Sequence, residues 1–187
     1  MAESLRLFFA LWPDETVRGA LARGMPLLGP GGRAVPIENL HVTLAFLGNT
    51  DAKRLDELAQ LAGRIIAYPF VLTLDEYAVW ERTLVVLTAK ETPAALAQLA
   101  GDLNATLGQA GFPTDSRPYR AHVTLIRERR RGSGRREGLL APEALPLAVT
   151  PISWPVNDFV LVSSRTRPQG SRYEVLQRWP LAGAREI

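Results

Sequence analysis

The sequence predicts a mixed α+β fold in which two lobes share one cleft. Three observations carry that expectation. The chain has 187 residues, 47% of them hydrophobic, enough for one sizeable domain or two small lobes. Strand and helix patterns alternate in both halves, and no low-complexity linker separates them. The tetrapeptide His-Val-Thr-Leu occurs at His41–Leu44 and again at His122–Leu125, and it opens on each of the two histidines of the chain.

The elements follow in order. Leu5–Leu11 is an apolar run that reads as a buried strand. Pro13 and Asp14 stop it, and Asp14 is placed to cap a helix. Val17, Ala20, Leu21, Met25 and Leu28 give that helix an apolar stripe. Gly29–Arg33 (GPGGR) reads as a turn, because it follows a helix and lacks the Gly-Lys-Ser/Thr ending of a phosphate loop. Asn39–Leu47 is the first histidine strand, broken by Gly48-Asn49-Thr50-Asp51. A helix with Leu55, Leu58, Ala59, Ala62, Ile65 and Ile66 on one stripe follows. Phe70–Trp80 and Leu84–Thr88 read as a hairpin pair. Thr92 is an N-cap before Pro93, and the helix they open runs to about Ala110, where Gly111 ends it. Tyr119–Ile126 is the second histidine strand. Arg127–Leu140 is a charged, glycine-containing loop, and Leu147–Trp154, Phe159–Ser163 and Tyr173–Trp179 are closing strands.

Composition narrows the chemistry. Cysteine is absent, which excludes disulfides, thiolate catalysis and cysteine metal sites. No apolar stretch approaches the roughly 20 residues of a membrane span, and the N-terminus lacks the features of a signal peptide. A cytoplasmic protein without membrane contact is therefore expected. The net charge is +3, with 22 Lys plus Arg, but lysine occurs only at Lys53 and Lys90. The remaining cations are arginines, whose planar fork suits phosphate. Codon bias explains the general skew and leaves local clusters open to a functional reading.

The repeated tetrapeptides carry the functional argument. Side chains alternate along a strand. Leu40, Val42, Leu44 and Phe46 share one apolar face, and Asn39, His41 and Thr43 share the other. In the second copy Ala121, Val123 and Leu125 are apolar, opposite Arg120, His122 and Thr124. A chance match of the three residues after His122 has odds of roughly one in a few thousand at ordinary residue frequencies. Imidazole titrates near neutrality. A pair can therefore take a proton from an attacking nucleophile and give one to a leaving oxygen on opposite sides of a phosphorus atom. Thr43 and Thr124 are placed to hydrogen-bond the non-bridging oxygens, and Arg120 supplies a cation beside His122. A metal site lacks a third ligand at suitable spacing, and neither polar face carries a carboxylate. A serine triad from Ser163 or Ser164 lacks flanking elbow glycines and leaves one histidine idle. Neither a metal nor another cofactor is expected.

At these residues the chain resembles the two-histidine phosphoesterase family, and within it the RNA 2′,3′-cyclic phosphodiesterases, also called 2′-5′ RNA ligases. "RLFFALWP", "NLHVTLAFLG", "RPYRAHVTLIR" and "YEVLQRWPL" are similar to that subfamily's blocks, in the same order. The resemblance implies one bilobal domain over residues 1–187, with two antiparallel sheets flanked by helices in a pseudo-twofold arrangement around a central cleft. It implies metal-independent hydrolysis of a 2′,3′-cyclic phosphate to a 2′-phosphomonoester, with reversible 2′-5′ joining of RNA ends. It also implies that His41 is the proton donor, that His122 is the proton acceptor and that Arg127 binds phosphate. The order of the two histidine roles rests on the resemblance alone.

The expected partner is RNA ending in a 2′,3′-cyclic phosphate, or a cyclic nucleotide, acted on by a monomer. Arg129, Arg130 and Arg131, in the charged loop, are candidate RNA contacts, and Tyr119 is a candidate for stacking on a base. Phe9 and Phe46 are expected in the core. Two other functions remain open: a non-catalytic module that binds RNA ends, and the same chemistry on a small cyclic nucleotide.

Overall fold

The computed structural model describes residues 4–25, 32–81, 83–127, 145, 149–167 and 170–182. It is an α+β fold with two antiparallel sheets. The strands are β1 (Ser4–Leu11), β2 (Arg33–Ala34), β3 (Val42–Asp51), β4 (Phe70–Leu74), β5 (Glu76–Trp80), β6 (Leu84–Thr88), β7 (His122–Arg127), β8 (Ile152–Val156), β9 (Asp158–Arg167) and β10 (Gly170–Pro180). The helices are α1 (Glu15–Gly24), α2 (Leu55–Gly63) and α3 (Ala94–Gln109). The large sheet has the order β10-β9-β1-β3-β7-β6-β5, with β2 added beside β7, and β4 and β8 form the small sheet.

Both histidine strands lie at the middle of the large sheet. They are neighbours there, and their backbones pair at one position, Val42 with Val123. The main core is formed by Leu7, Phe9 and Leu11 of β1, Val42 and Leu44 of β3, Val123 and Leu125 of β7, and the apolar sides of the helices. A smaller cluster on the other side of β1 and β9 joins Phe8, Ala10, Val160 and Val162, with Trp12 and Tyr173 against it. β1 is therefore buried on both faces, which is why its sequence reads as a continuous apolar run.

The helices follow from local chemistry. The Asp14 side chain accepts a hydrogen bond from the Val17 amide at 2.8 Å and caps α1, which stabilises a helix start by about 1 kcal/mol. In α3, Leu96, Leu99, Ala100, Leu103 and Leu107 are buried, the 3–4 residue spacing of one helix face. Its C-terminus is closed by the Gly111 amide on Gly108 O and the Phe112 amide on Leu107 O, both 3.0 Å. Gly111 has φ +75° there, a conformation that glycine adopts without steric cost.

Several boundaries differ from the sequence-based expectation. β3 does not break at Gly48. It bulges there, with Gly48 at φ +66°, and continues paired to Asp51 opposite Ser4. α2 stops at Gly63, so Ile66 lies outside it and is 70% exposed. Phe70–Trp80 is two strands divided at Asp75. The first half pairs with β8 and only the second forms the hairpin with β6. Pro93, not Thr92, occupies the N-cap of α3.

The largest correction concerns Phe46. Strict alternation places it in the core, yet it is 48% exposed. Between Phe9 and Ala10 the β1–β3 register skips Leu44. This bulge leaves Leu44 and Ala45 both buried and turns Phe46 to the face that carries His41. Asn104 of α3, behind the sheet, donates to the Leu44 carbonyl at 3.4 Å.

Candidate active site

Opposed residues on antiparallel strands share a face. With Val42 across from Val123, His41 falls toward Thr124 and Thr43 toward His122. All four are half-buried, while Val42, Leu44, Val123 and Leu125 beneath them are at most 3% exposed. The apolar half of each tetrapeptide thus anchors the strand, and the polar half is presented on one surface.

Each imidazole is held in the same way. His41 Nδ1 lies 2.6 Å from the Asn39 carbonyl, and His122 Nδ1 lies 2.9 Å from the Arg120 carbonyl. A carbonyl oxygen only accepts, so each Nδ1 carries the proton and donates it. In the neutral ring Nε2 is then the free base, turned away from the backbone.

The surroundings differ. His41 is walled by Phe8 at 4.9 Å between ring centres, Trp12 stacked at 5.8 Å and Tyr173 edge-on at 5.4 Å. His122 lies 4.3 Å from Trp80. Burial is the main cause that drives the His41 pKa from 6.5 down to about 4. Arg127, His122 and Arg18 push the same way by charge, and the Asn39 hydrogen bond opposes them. The His122 pKa is also lowered, first by burial and then by Arg127 and Arg120, against the hydrogen bond to the Arg120 carbonyl. The free enzyme therefore holds both rings neutral at pH 7.

Two residues outside the motifs hold the His41 side together. Arg18 of α1, whose side chain is 11% exposed, donates to the carbonyls of Ile37 at 2.8 Å and Pro13 at 3.0 Å, and it lies over Trp12 at 5.6 Å. It ties the segment that carries Trp12 to the turn that carries Asn39. Asn39 is buried and donates through Nδ2 to the Ser171 carbonyl of β10 at 2.7 Å.

A groove of about 360 Å³ opens beside His41, lined by Arg6, Phe8, Thr43, Phe46, Arg127, Ser164, Ser171 and Tyr173. Of the residues expected at the site, His41, Thr43 and Arg127 meet in this groove. The Arg127 charge acts on both imidazoles. Arg120 is exposed, sits over Trp80 at 4.7 Å and acts on His122 alone. Tyr119 packs against the main core and donates its hydroxyl to the Thr43 carbonyl at 3.2 Å. Burial raises its pKa, and in this position it braces the first histidine strand and has little ring to offer a base. Arg129, Arg130 and Arg131 lie outside the described residues. Among those described, no group of three His, Cys, Asp or Glu side chains is set to hold a metal ion, and no helix is long and apolar enough to cross a membrane.

A family model for the 2′-5′ RNA ligase superfamily matches residues 25–168. The RNA 2′,3′-cyclic phosphodiesterase of Escherichia coli (strain K12) is 35% identical over 186 residues, covering 97% of this chain and 99% of its own. The RNA 2′,3′-cyclic phosphodiesterase of Thermus thermophilus is 32% identical over 191 residues, covering 96% and 91% respectively. The crystal structure of E. coli LigT complexed with 3′-AMP matches with a TM-score of 0.84 and 33% identity, over 96% of this chain and 99% of that one.

Proposed function

The chain belongs to the 2′-5′ RNA ligase superfamily, and from that premise we propose that His41 and His122 are the acid and base of its reaction. The activity is the hydrolysis of a cyclic phosphodiester, as in the RNA 2′,3′-cyclic phosphodiesterases it resembles over nearly its full length. One observation supports the proposed mechanism above the others. Two imidazoles on one face are each fixed by an Nδ1–H bond to the backbone two residues earlier, which leaves Nε2 of each ring without a partner among the described residues.

Water attacks phosphorus and loses a proton to His122 Nε2. The bond from phosphorus to the 3′ oxygen breaks, and His41 gives that oxygen a proton from Nε2. The product is a 2′-phosphomonoester with a free 3′-hydroxyl. Thr43, Thr124 and Arg127 hold the non-bridging oxygens as negative charge gathers on them, with Arg120 adding a cation on the His122 side. His41 must enter the step protonated, although its pKa is low in the free enzyme. The bound phosphate anion supplies the missing charge and raises it. Replacing water by a 5′-hydroxyl gives the 2′-5′ joining reaction by the same route.

We read the substrate as RNA with a 2′,3′-cyclic end, its terminal base against the exposed ring of Phe46. The protein acts as one bilobal domain, a cytoplasmic monomer that needs no metal. The test is product analysis with cyclic-ended RNA in the presence of chelator. A 2′-phosphate end is expected, formed by the wild type and lost in His41→Ala and His122→Ala. A 3′-phosphate end, or turnover that stops on chelation, contradicts the mechanism.

A further inference from the structure

The groove beside His41 holds two guanidinium groups, and the proposed mechanism uses only one. Arg127 acts electrostatically on both imidazoles, whereas the Arg6 charge registers at neither. Arg6 nonetheless lines the same groove. It stands on β1 two residues from Phe8, whose ring touches His41, a step of about 7 Å along the strand. Its guanidinium lies 4.8 Å from the centre of the Phe46 ring. Ser164 faces it across the β1–β9 pairing, and Ser171 lines the same groove. An exposed arginine with a serine across from it and a second serine in the same groove is chemistry suited to an anion.

We propose that Arg6, Ser164 and Ser171 form a second phosphate subsite, which receives the phosphodiester on the 5′ side of the terminal nucleoside. The subsite rests on the cyclic phosphodiesterase reading and deepens it. With the terminal base on Phe46 and its cyclic phosphate at His41, the chain of an RNA substrate leaves the nucleoside at its 5′ oxygen. The next anion is then one nucleotide step from the reacting phosphorus, as Arg6 is one strand step from the residue beside His41. A mononucleoside cyclic phosphate has no such group, so this subsite separates an RNA end from a free cyclic nucleotide.

The test compares the wild type with Arg6→Gln on three substrates: a mononucleoside 2′,3′-cyclic phosphate, a dinucleotide with the same cyclic end, and that dinucleotide with an uncharged methylphosphonate linkage. The expected result is a fall of about tenfold in kcat/KM for Arg6→Gln on the charged dinucleotide, the size of one partly screened charged contact. Activity on the mononucleotide should be unchanged. The uncharged linkage should cost the wild type a similar factor and cost the variant nothing further. Equal losses on all substrates, or no loss on the charged dinucleotide, overturn the subsite and leave the phosphodiesterase reading standing. Failure of the wild type to hydrolyse any of the three removes both.

Discussion

The two histidine strands share four residues and one backbone device, but their surroundings are unequal. Both rings donate Nδ1–H to the carbonyl two residues earlier. Around His41 three aromatic rings close in, with Arg18 and Asn39 bracing the backbone behind it. Around His122 stands Trp80, with the exposed Arg120 beyond it. The lesson is a division of labour. The repeated tetrapeptide sets where each imidazole points, and the non-repeated residues set how readily each carries a proton. A strongly desolvated His41 resists protonation in the free protein, and in the proposed mechanism the anion of the substrate lets it take up the proton that it passes to the leaving oxygen. His122, its pKa also lowered, is the base in that mechanism.

The sharpest way to break this comparison is to remove one ring at a time. His41→Ala and His122→Ala are each expected to lower kcat by about 10²–10⁴, the usual worth of a positioned acid or base, with similar circular dichroism. Retention of more than a tenth of wild-type activity by either variant would show that its ring does not transfer a proton.

Arg127 is common to both sides. Arg127→Met should lower kcat/KM by about 10–100-fold through loss of a charged phosphate contact. It should also let both imidazole pKa values rise, because a nearby cation depresses each. The acid limb of the kcat/KM profile should then move to higher pH. An unmoved profile would place Arg127 away from the reacting centre.

Asn39→Leu touches only one side. It removes the hydrogen bond to Ser171 and loosens the carbonyl that orients His41. A fall of about tenfold in kcat with little change in KM is expected. A two-dimensional NMR spectrum should show the His41 ring signals shifted and the His122 ring signals unchanged. Equal disturbance of both rings would argue against independent bracing.

The smallest effect is on stability. The unfolded chain protonates His41 near pH 6.5, and the folded protein does so only near pH 4. Between these values the unfolded state binds the extra proton, so stability falls as pH drops through the window, by about 3 kcal/mol at most. It is fully recovered above pH 6.5. Urea denaturation at pH 7 and pH 4.5 should show His41→Leu losing less stability on acidification than the wild type. An identical acid sensitivity would mean that the ring is not desolvated.

Much of this site was legible in the residues. Alternation placed His41, Thr43, His122 and Thr124 on polar faces, with Val42, Leu44, Val123 and Leu125 buried below. Asp14 as a helix cap was equally plain. What escaped is what depends on pairing between distant strands. The bulge at Leu44 exists only against β1, so Phe46 read as core. The cage around His41 draws Trp12 and Tyr173 from opposite ends of the chain, 161 residues apart (173 − 12), and no local pattern joins them. Arg18 gave no sequence signal, because its partners are carbonyls of loops whose path the periodicity does not specify. That the two histidine strands are direct neighbours, meeting at Val42 and Val123, also had no local signal.

The account assigns His41 to the leaving oxygen and His122 to the attacking water. The most direct measurement uses a cyclic substrate whose 3′ bridging oxygen is replaced by sulfur, which leaves without needing a proton. His41→Ala should hydrolyse that substrate at close to the wild-type rate, while His122→Ala stays inactive. Rescue of His122→Ala instead, or of neither variant, would contradict the assignment.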